Sequence, residues 1–214
     1  MKYITTIVSK LFVLSVMLVL TSKAASASLE PMQSQEFDEF YIAESIQLSP
    51  RRTVFIEEVP VSFSKVWLNE FSNETSSSYR QYIKKTYGVE FKSQMQKSLS
   101  EAGWKVLTER DKANIIVQPK LDELNIVAPE KIGISDTILA RFAGSSVINI
   151  VISSGAGDTL MTISDYGTTP ATIGSPFANR RTNFIYFKLL LNNWAQLSST
   201  YLDSLMEEIE KQAQ

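Results

Sequence analysis

The chain has 214 residues, with 21 Lys and Arg against 23 Asp and Glu, and it contains neither histidine nor cysteine. The lack of histidine excludes Ser-His-Asp and Cys-His nucleophile systems and histidine metal ligands, and the lack of cysteine excludes disulfides. Only carboxylates remain as strong metal ligands, so we expect no metal site and no cofactor. Without a broad basic stripe, nucleic acid is not expected as a partner.

The first 27 residues have the features of a secretory leader. Lys2 and Lys10 give the leader a positively charged beginning, and a short apolar run, Leu11–Leu20, follows. A cleavage site of small residues ends at Ala27. We predict cleavage before Ser28, which leaves a periplasmic protein with a charge of 18 − 23 = −5. An uncleaved anchor is the alternative, but the run has half of the about 20 apolar residues that span a bilayer.

The rest of the chain is predicted to be one domain, residues 53–214, preceded by an irregular lead-in over residues 28–52. Phe37, Phe40 and Tyr41 are expected to order the lead-in partly. Because no cysteine is available for lipid attachment, we expect no stable membrane anchor after leader cleavage.

Several elements follow in the first half of the domain. The segment 53–63 is β-branched and aromatic, which predicts a strand that Pro60 limits. A serine cap at 76–78 and apolar residues at helical spacing predict a helix that ends near Gly103. A short strand at 104–108 and a long strand at 113–127 come next. The apolar residues of the long strand change parity, which predicts a bulge near Asp122-Glu123.

The stretch 146–168 predicts a β-hairpin, since two strand-forming runs flank a glycine-rich loop at Gly155–Asp158. If that four-residue loop closes the hairpin, Ser154 faces Thr159 and the other pairs follow by counting. These pairs are Ile152 with Met161, Ile150 with Ile163, Ile148 with Asp165, Val151 with Thr162, Asn149 with Ser164, and Val147 with Tyr166.

The two faces of this hairpin differ in chemistry. One face is aliphatic, so another element must pack on it and bury it. The other face mixes polar and apolar side chains, so it can be exposed to solvent or can contact a partner. The mixed face supplies our candidate partner surface, with a solvated sheet face as the alternative. Its residues are Asn149, Val151, Thr162, Ser164 and Tyr166.

An apolar stripe between Phe187 and Ile209 predicts the C-terminal helix that covers the aliphatic face. The element order predicts an α+β fold. We expect a two-layer sandwich in which a mostly antiparallel sheet of about five strands carries two main helices on one face.

Few residues suggest catalysis. Glu57 and Glu58 are adjacent on a strand, so they point to opposite faces and cannot form a dyad. Ser62 and Lys65 match the S-x-x-K motif of serine acyl-transferases, and Ser135-Asp136-Thr137 weakly resembles S-D-N, but no K-T-G follows. Asp165 lies beside the aliphatic face, where a structural role is favoured over a functional one.

Several segments resemble a family of small bacterial envelope proteins, many of them outer-membrane lipoproteins, known as domain of unknown function thirty-three thirteen. The similar residues are Val54-Phe55-Ile56, Ala102-Gly103-Trp104-Lys105-Val106, Lys112 to Val117, Ser153 to Leu160, Asp165 and Asn193-Trp194-Ala195. The resemblance implies a Gram-negative envelope location and a compact α+β fold. Family members often carry a lipid-modified cysteine, which this chain lacks.

These observations predict a non-enzymatic periplasmic protein that binds another envelope protein. We expect no catalytic residue. Two alternatives remain open: a cell-envelope hydrolase that uses carboxylates or the Ser62 and Lys65 pair, and a carrier of a small ligand.

Overall fold

A mixed sheet of eight strands forms the centre of the structure. The computed structural model describes residues 28–44, 46, 48–131, 138–170 and 177–212. Ser28 is the first residue described, so the predicted leader, including Ala27, lies outside the described ranges. The motif at residues 135–137 also lies outside them. Within the described ranges, no helix has both the length and the apolar character needed to cross a bilayer.

The described residues form ten strands and three α-helices. The strands are β1 (Leu29–Pro31), β2 (Glu39–Ala43), β3 (Thr53–Ile56), β4 (Val61–Phe63), β5 (Lys105–Val106), β6 (Ile115–Ile126), β7 (Ile138–Leu139), β8 (Gly144–Ser154), β9 (Thr159–Thr168) and β10 (Phe177–Ala178). The helices are α1 (Lys65–Phe71), α2 (Ser77–Glu101) and α3 (Arg180–Gln212).

The order of strands in the main sheet is β1-β2-β9-β8-β6-β3-β5, and β4 also pairs with β6. Strands β3, β4 and β5 make the parallel pairs, and the remaining pairs are antiparallel. The α+β class is therefore confirmed, and the sheet is antiparallel over its longest ladders, but it has eight strands where about five were expected and it includes parallel pairs. The parallel pairs arise because α1 and α2 separate β3 and β4 from β5 and β6, and such a crossover returns the chain in the same direction.

The lead-in is more regular than predicted. β1 and β2 both fall in residues 28–52, and β2 pairs with β9. Phe37 and Phe40 are buried, and the ring of Tyr201 on α3 packs against both. The two strands form because the edge of β9 and a helix distant in sequence supply their contacts.

Both long helices pack on one face of the sheet. The side chains of Ile148, Ile150 and Ile152 are at most 1% exposed, as predicted for the aliphatic face of the hairpin. The apolar residues of α3, from Phe187 to Ile209, are largely buried over this face. The other face of the sheet, which we call the open face, carries the side chains that alternate with these isoleucines along the hairpin. They include Asn149, Val151, Thr162, Ser164 and Tyr166.

The long strand β6 contains the predicted bulge. Its register against β8 shifts between Asp122 and Asn125, and Glu123 has a φ of 52°. The extra residue lets Leu121 and Leu124, which differ in parity, both reach the core, where each is 0% exposed.

Candidate binding surface

The five residues of the candidate partner surface lie side by side on the open face. Val151 pairs with Thr162, Asn149 pairs with Ser164, and Tyr166 pairs with Val147, as the counting predicted. Most of these side chains are half-buried, whereas Tyr166 is 56% exposed. The hairpin therefore presents one exposed phenol beside a row of hydroxyl, amide and aliphatic groups.

The hairpin loop is shorter than expected. Ser153, and not Ser154, pairs with Thr159, because the ladder shifts by one residue after the pair Ile152 and Met161. The Ser154 N–H instead donates to the Asp158 carbonyl at 2.8 Å, which leaves a three-residue loop. The extra residue, Leu160, restores the counted register for the rest of the hairpin.

Strand β2 adds two residues to this surface that sequence reasoning missed. Glu39 pairs with Ser164 and Tyr41 pairs with Thr162. With Asn149, Val151, Thr162 and Ser164 they line a shallow depression of about 160 Å³. The alternation of Glu39 and Tyr41 with apolar neighbours is a strand signal, although five residues are a short run for this pattern.

A polar network borders the surface at the β6 bulge. The Asp122 carboxylate accepts hydrogen bonds from the Ser62 hydroxyl (2.7 Å) and the Asn149 amide (3.2 Å), and it forms an ion pair with Lys120 (2.9 Å). Burial acts to raise the pKa of Asp122, but the bonds from Lys120 and Ser62 hold it below its ordinary value. The network fixes the Asn149 side chain at the rim of the depression.

The structure does not bring the candidate catalytic groups together. Ser62 bonds to Asp122 and not to Lys65, which is exposed at the start of α1. Glu57 pairs with Arg110, whereas Glu58 pairs with Lys92 on α2, so the two carboxylates have partners on separate elements. Within the described part of the chain, no three acidic side chains cluster in a way that could hold a metal ion.

Asp165 joins three elements at the end of β9. Its Oδ2 accepts a hydrogen bond from the Trp194 Nε1–H (2.6 Å), and its Oδ1 accepts one from the Asp38 N–H (3.2 Å). Asp38 in turn accepts the Tyr166 N–H at 2.8 Å. Burial raises the pKa of Asp165, and the charge of Asp38 adds to this effect. These contacts agree with the structural role that the sequence favoured for Asp165.

Replacing Asp165 by asparagine should destabilise the protein by about 1–3 kcal/mol, because an amide has one oxygen for two N–H donors and leaves one of them unpaired. The folded state binds the Asp165 proton more tightly than the unfolded state, so the contribution of Asp165 to stability falls as pH rises through its raised pKa. The deficit of the variant should therefore shrink over that pH range in urea titrations. A pH-independent deficit, or none, would contradict this assignment.

Comparisons with known proteins do not place the chain in a family. No family model matches the sequence, and no curated protein matches it. The structure is similar to that of a single-residue variant of PelC from Paraburkholderia phytofirmans, a dodecamer, with 10% identity, 73% of this chain and 95% of that chain covered, and a TM-score of 0.35. For a second PelC dodecamer the identity is 8%, the coverage 79% and 97%, and the TM-score 0.35. This similarity is too low to support an argument.

Proposed function

We propose that this chain is a non-enzymatic periplasmic envelope protein that binds another envelope protein through the open face around Tyr166. The observation that carries the proposal is the 56% exposed phenol on a sheet face to which neither long helix is packed. Tyrosine gives a large contact area and a hydrogen-bonding tip, and it is enriched at the centres of protein interfaces.

The chemistry around Tyr166 suits a protein partner. The five surface residues carry no charge, Lys120 and Asp122 at the border neutralise each other, and the exposed Glu39 of β2 adds one negative charge. The cores of protein interfaces are likewise depleted of charge. We therefore infer a partner surface that is polar and largely uncharged, with at most one cation opposite Glu39, and an affinity that falls only modestly as salt is added.

The shape of the surface favours contact with a protein over the enclosure of a small ligand. The depression of about 160 Å³ is smaller than the roughly 300–1,000 Å³ of typical small-ligand pockets. A flat surface with a single protruding ring instead suits a partner that contributes a complementary pocket for the ring. The leader-like first 27 residues support the assignment to the envelope.

The test compares Tyr166→Ala with Tyr82→Ala in affinity purification from an envelope extract, followed by mass spectrometry. Tyr82 is a matched control because it is 45% exposed on α2, in the helix layer. We expect a partner that the wild type and Tyr82→Ala recover but Tyr166→Ala does not. With the purified partner, the loss should be about 30-fold in Kd, as for a hot-spot side chain worth about 2 kcal/mol. Recovery of no specific partner, or of one that Tyr166→Ala still binds, would overturn the proposal.

A further inference from the structure

Strand β9 lies between β8 and β2 and extends beyond the residues that β2 pairs with. β8 pairs with β9 out to Thr168, whereas β2 pairs with β9 only from Met161 to Ser164. Among the described residues, no strand continues β2 alongside the last part of β9. The sheet therefore has an internal step, at which residues 165–168 of β9 form an edge.

The direction of the backbone groups at this edge follows from two hydrogen bonds. The Thr169 N–H donates to the Gly144 carbonyl (2.9 Å) on the β8 side, whereas the Tyr166 N–H donates to Asp38 on the β2 side. Since successive residues of a strand point in opposite directions, Thr168 directs its N–H and C=O away from β8, as Tyr166 does. Both residues are exposed. Unpaired groups of this kind are a template for an added strand.

A groove of about 540 Å³ lies at the Thr168 end of this edge. Its lining residues include Thr168 at the end of β9, Pro170 just after that strand, Leu189 and Asn193 on α3, and Phe142 in the segment before β8. Every residue that lines the groove is uncharged. Leu189 is 50% exposed and Phe142 is 38% exposed, so the groove has apolar walls open to solvent.

We propose that an extended, uncharged segment of a partner protein adds to β9 at this edge as an antiparallel strand in line with β2. Thr168 would exchange two backbone hydrogen bonds with the segment, and the Tyr166 carbonyl would accept a third. The side chains of the segment that face the helices would enter the groove, where they meet Phe142 and Leu189. Affinity then comes from the main chain and selectivity from the groove, as in other cases of strand addition.

Two observations select this occupant. The β2 and β9 ladder already defines an antiparallel line that the new strand would continue, and antiparallel pairing is the more stable arrangement per residue. No residue that lines the groove is charged, and a neighbouring cation, the Arg141 guanidinium, lies over the Phe142 ring at 5.4 Å, so an uncharged segment fits the groove walls without burying a charge.

Asp38 limits the length of the added strand. Its carboxylate occupies the Tyr166 N–H, which would otherwise offer a further hydrogen bond to the segment. Asp38→Ala should release this N–H, lengthen the free edge and tighten binding. This variant and a variant that blocks the edge should therefore change the affinity in opposite directions.

The test uses a phage-displayed library of seven-residue peptides selected on the purified full-length protein. Thr168→Pro removes the N–H at the edge, and proline is tolerated in an edge strand whose N–H faces solvent. We expect this variant to bind the selected peptides at least ~10-fold more weakly, because a peptide carbonyl loses its donor. Thr168→Val, which keeps the N–H, should bind like the wild type, and Asp38→Ala should bind more tightly.

Hydrogen exchange gives a readout that does not depend on a variant. The Thr168 amide should exchange rapidly in the free protein and become protected when a selected peptide binds. The inference fails if the library yields no binder, if Thr168→Pro and Thr168→Val bind equally, or if the exchange of this amide does not change. Tyr166→Ala keeps every backbone group, so it should leave peptide binding intact, and failure of the open-face proposal is distinguishable from failure of this one.

Discussion

Gly144→Ala is expected to leave little folded protein, since it should cost about 4 kcal/mol or more against a total stability of about 5–15 kcal/mol. A Cβ on this residue would lie 1.9 Å from the Asn125 carbonyl oxygen and 2.8 Å from Cζ of Phe187. Its φ of 153° adds strain for any side chain. Because one obstacle is backbone of the neighbouring strand and the other is a buried ring, neither can move without opening the core. Urea titration followed by circular dichroism measures the loss.

Gly103→Ala is the matched control for this prediction. Gly103 also has a positive φ, 85°, but no atom would lie within 4 Å of an added Cβ. The cost should be that of a left-handed alanine, about 1–2 kcal/mol. Equal stability of the two variants would show that close packing at Gly144 is not what requires glycine there.

Trp67→Ala is expected to cost about 3–5 kcal/mol, the range for large aromatic residues removed from a core. Trp67 is 0% exposed, and its ring stacks on Phe63 with a centroid distance of 4.2 Å. Its Nε1–H donates to the Ile126 carbonyl at 2.9 Å, which ties α1 to the end of β6. The free energy of unfolding, measured by denaturant titration, tests the prediction.

Two further variants separate the contributions of this side chain. Val66→Ala changes the adjacent residue, which is 69% exposed, and should alter stability by less than about 0.5 kcal/mol. Trp67→Phe keeps a ring but leaves the Ile126 carbonyl without its donor, which should cost about 1–3 kcal/mol. If Trp67→Ala is no worse than Val66→Ala, α1 does not contribute to the core in the way described.

The central hairpin could be predicted because its signals are local. The pairs from Ile152 with Met161 to Val147 with Tyr166 follow from alternation and from the position of the glycines, and the structure contains all of them. The loop length could not be predicted in the same way. A four-residue loop and a three-residue loop with one extra residue at Leu160 give the same register beyond Met161, so the alternation does not distinguish them.

The candidate surface was predictable in part for the same reason. The face shared by Asn149, Thr162 and Tyr166 follows from counting along the hairpin. Its neighbours Glu39 and Tyr41 do not, because they precede their partners Ser164 and Thr162 by 125 and 121 residues in the sequence. The role of this surface remains a proposal that rests on the exposure of Tyr166.

By itself, the sequence determined the elements that have local signals: α2 from its serine cap and apolar spacing, α3 from its apolar stripe, the hairpin, and the bulge at Glu123 that lets both parities of β6 reach the core. Only the tertiary structure decided that β1 and β2 form, that the segment 53–63 divides into β3 and β4, and which strands β4 and β5 pair with, and with these the parallel pairs and the step at Thr168. The physical reason is that two to five residues bury too little surface to specify a strand alone, so their pairing depends on edges that distant segments provide.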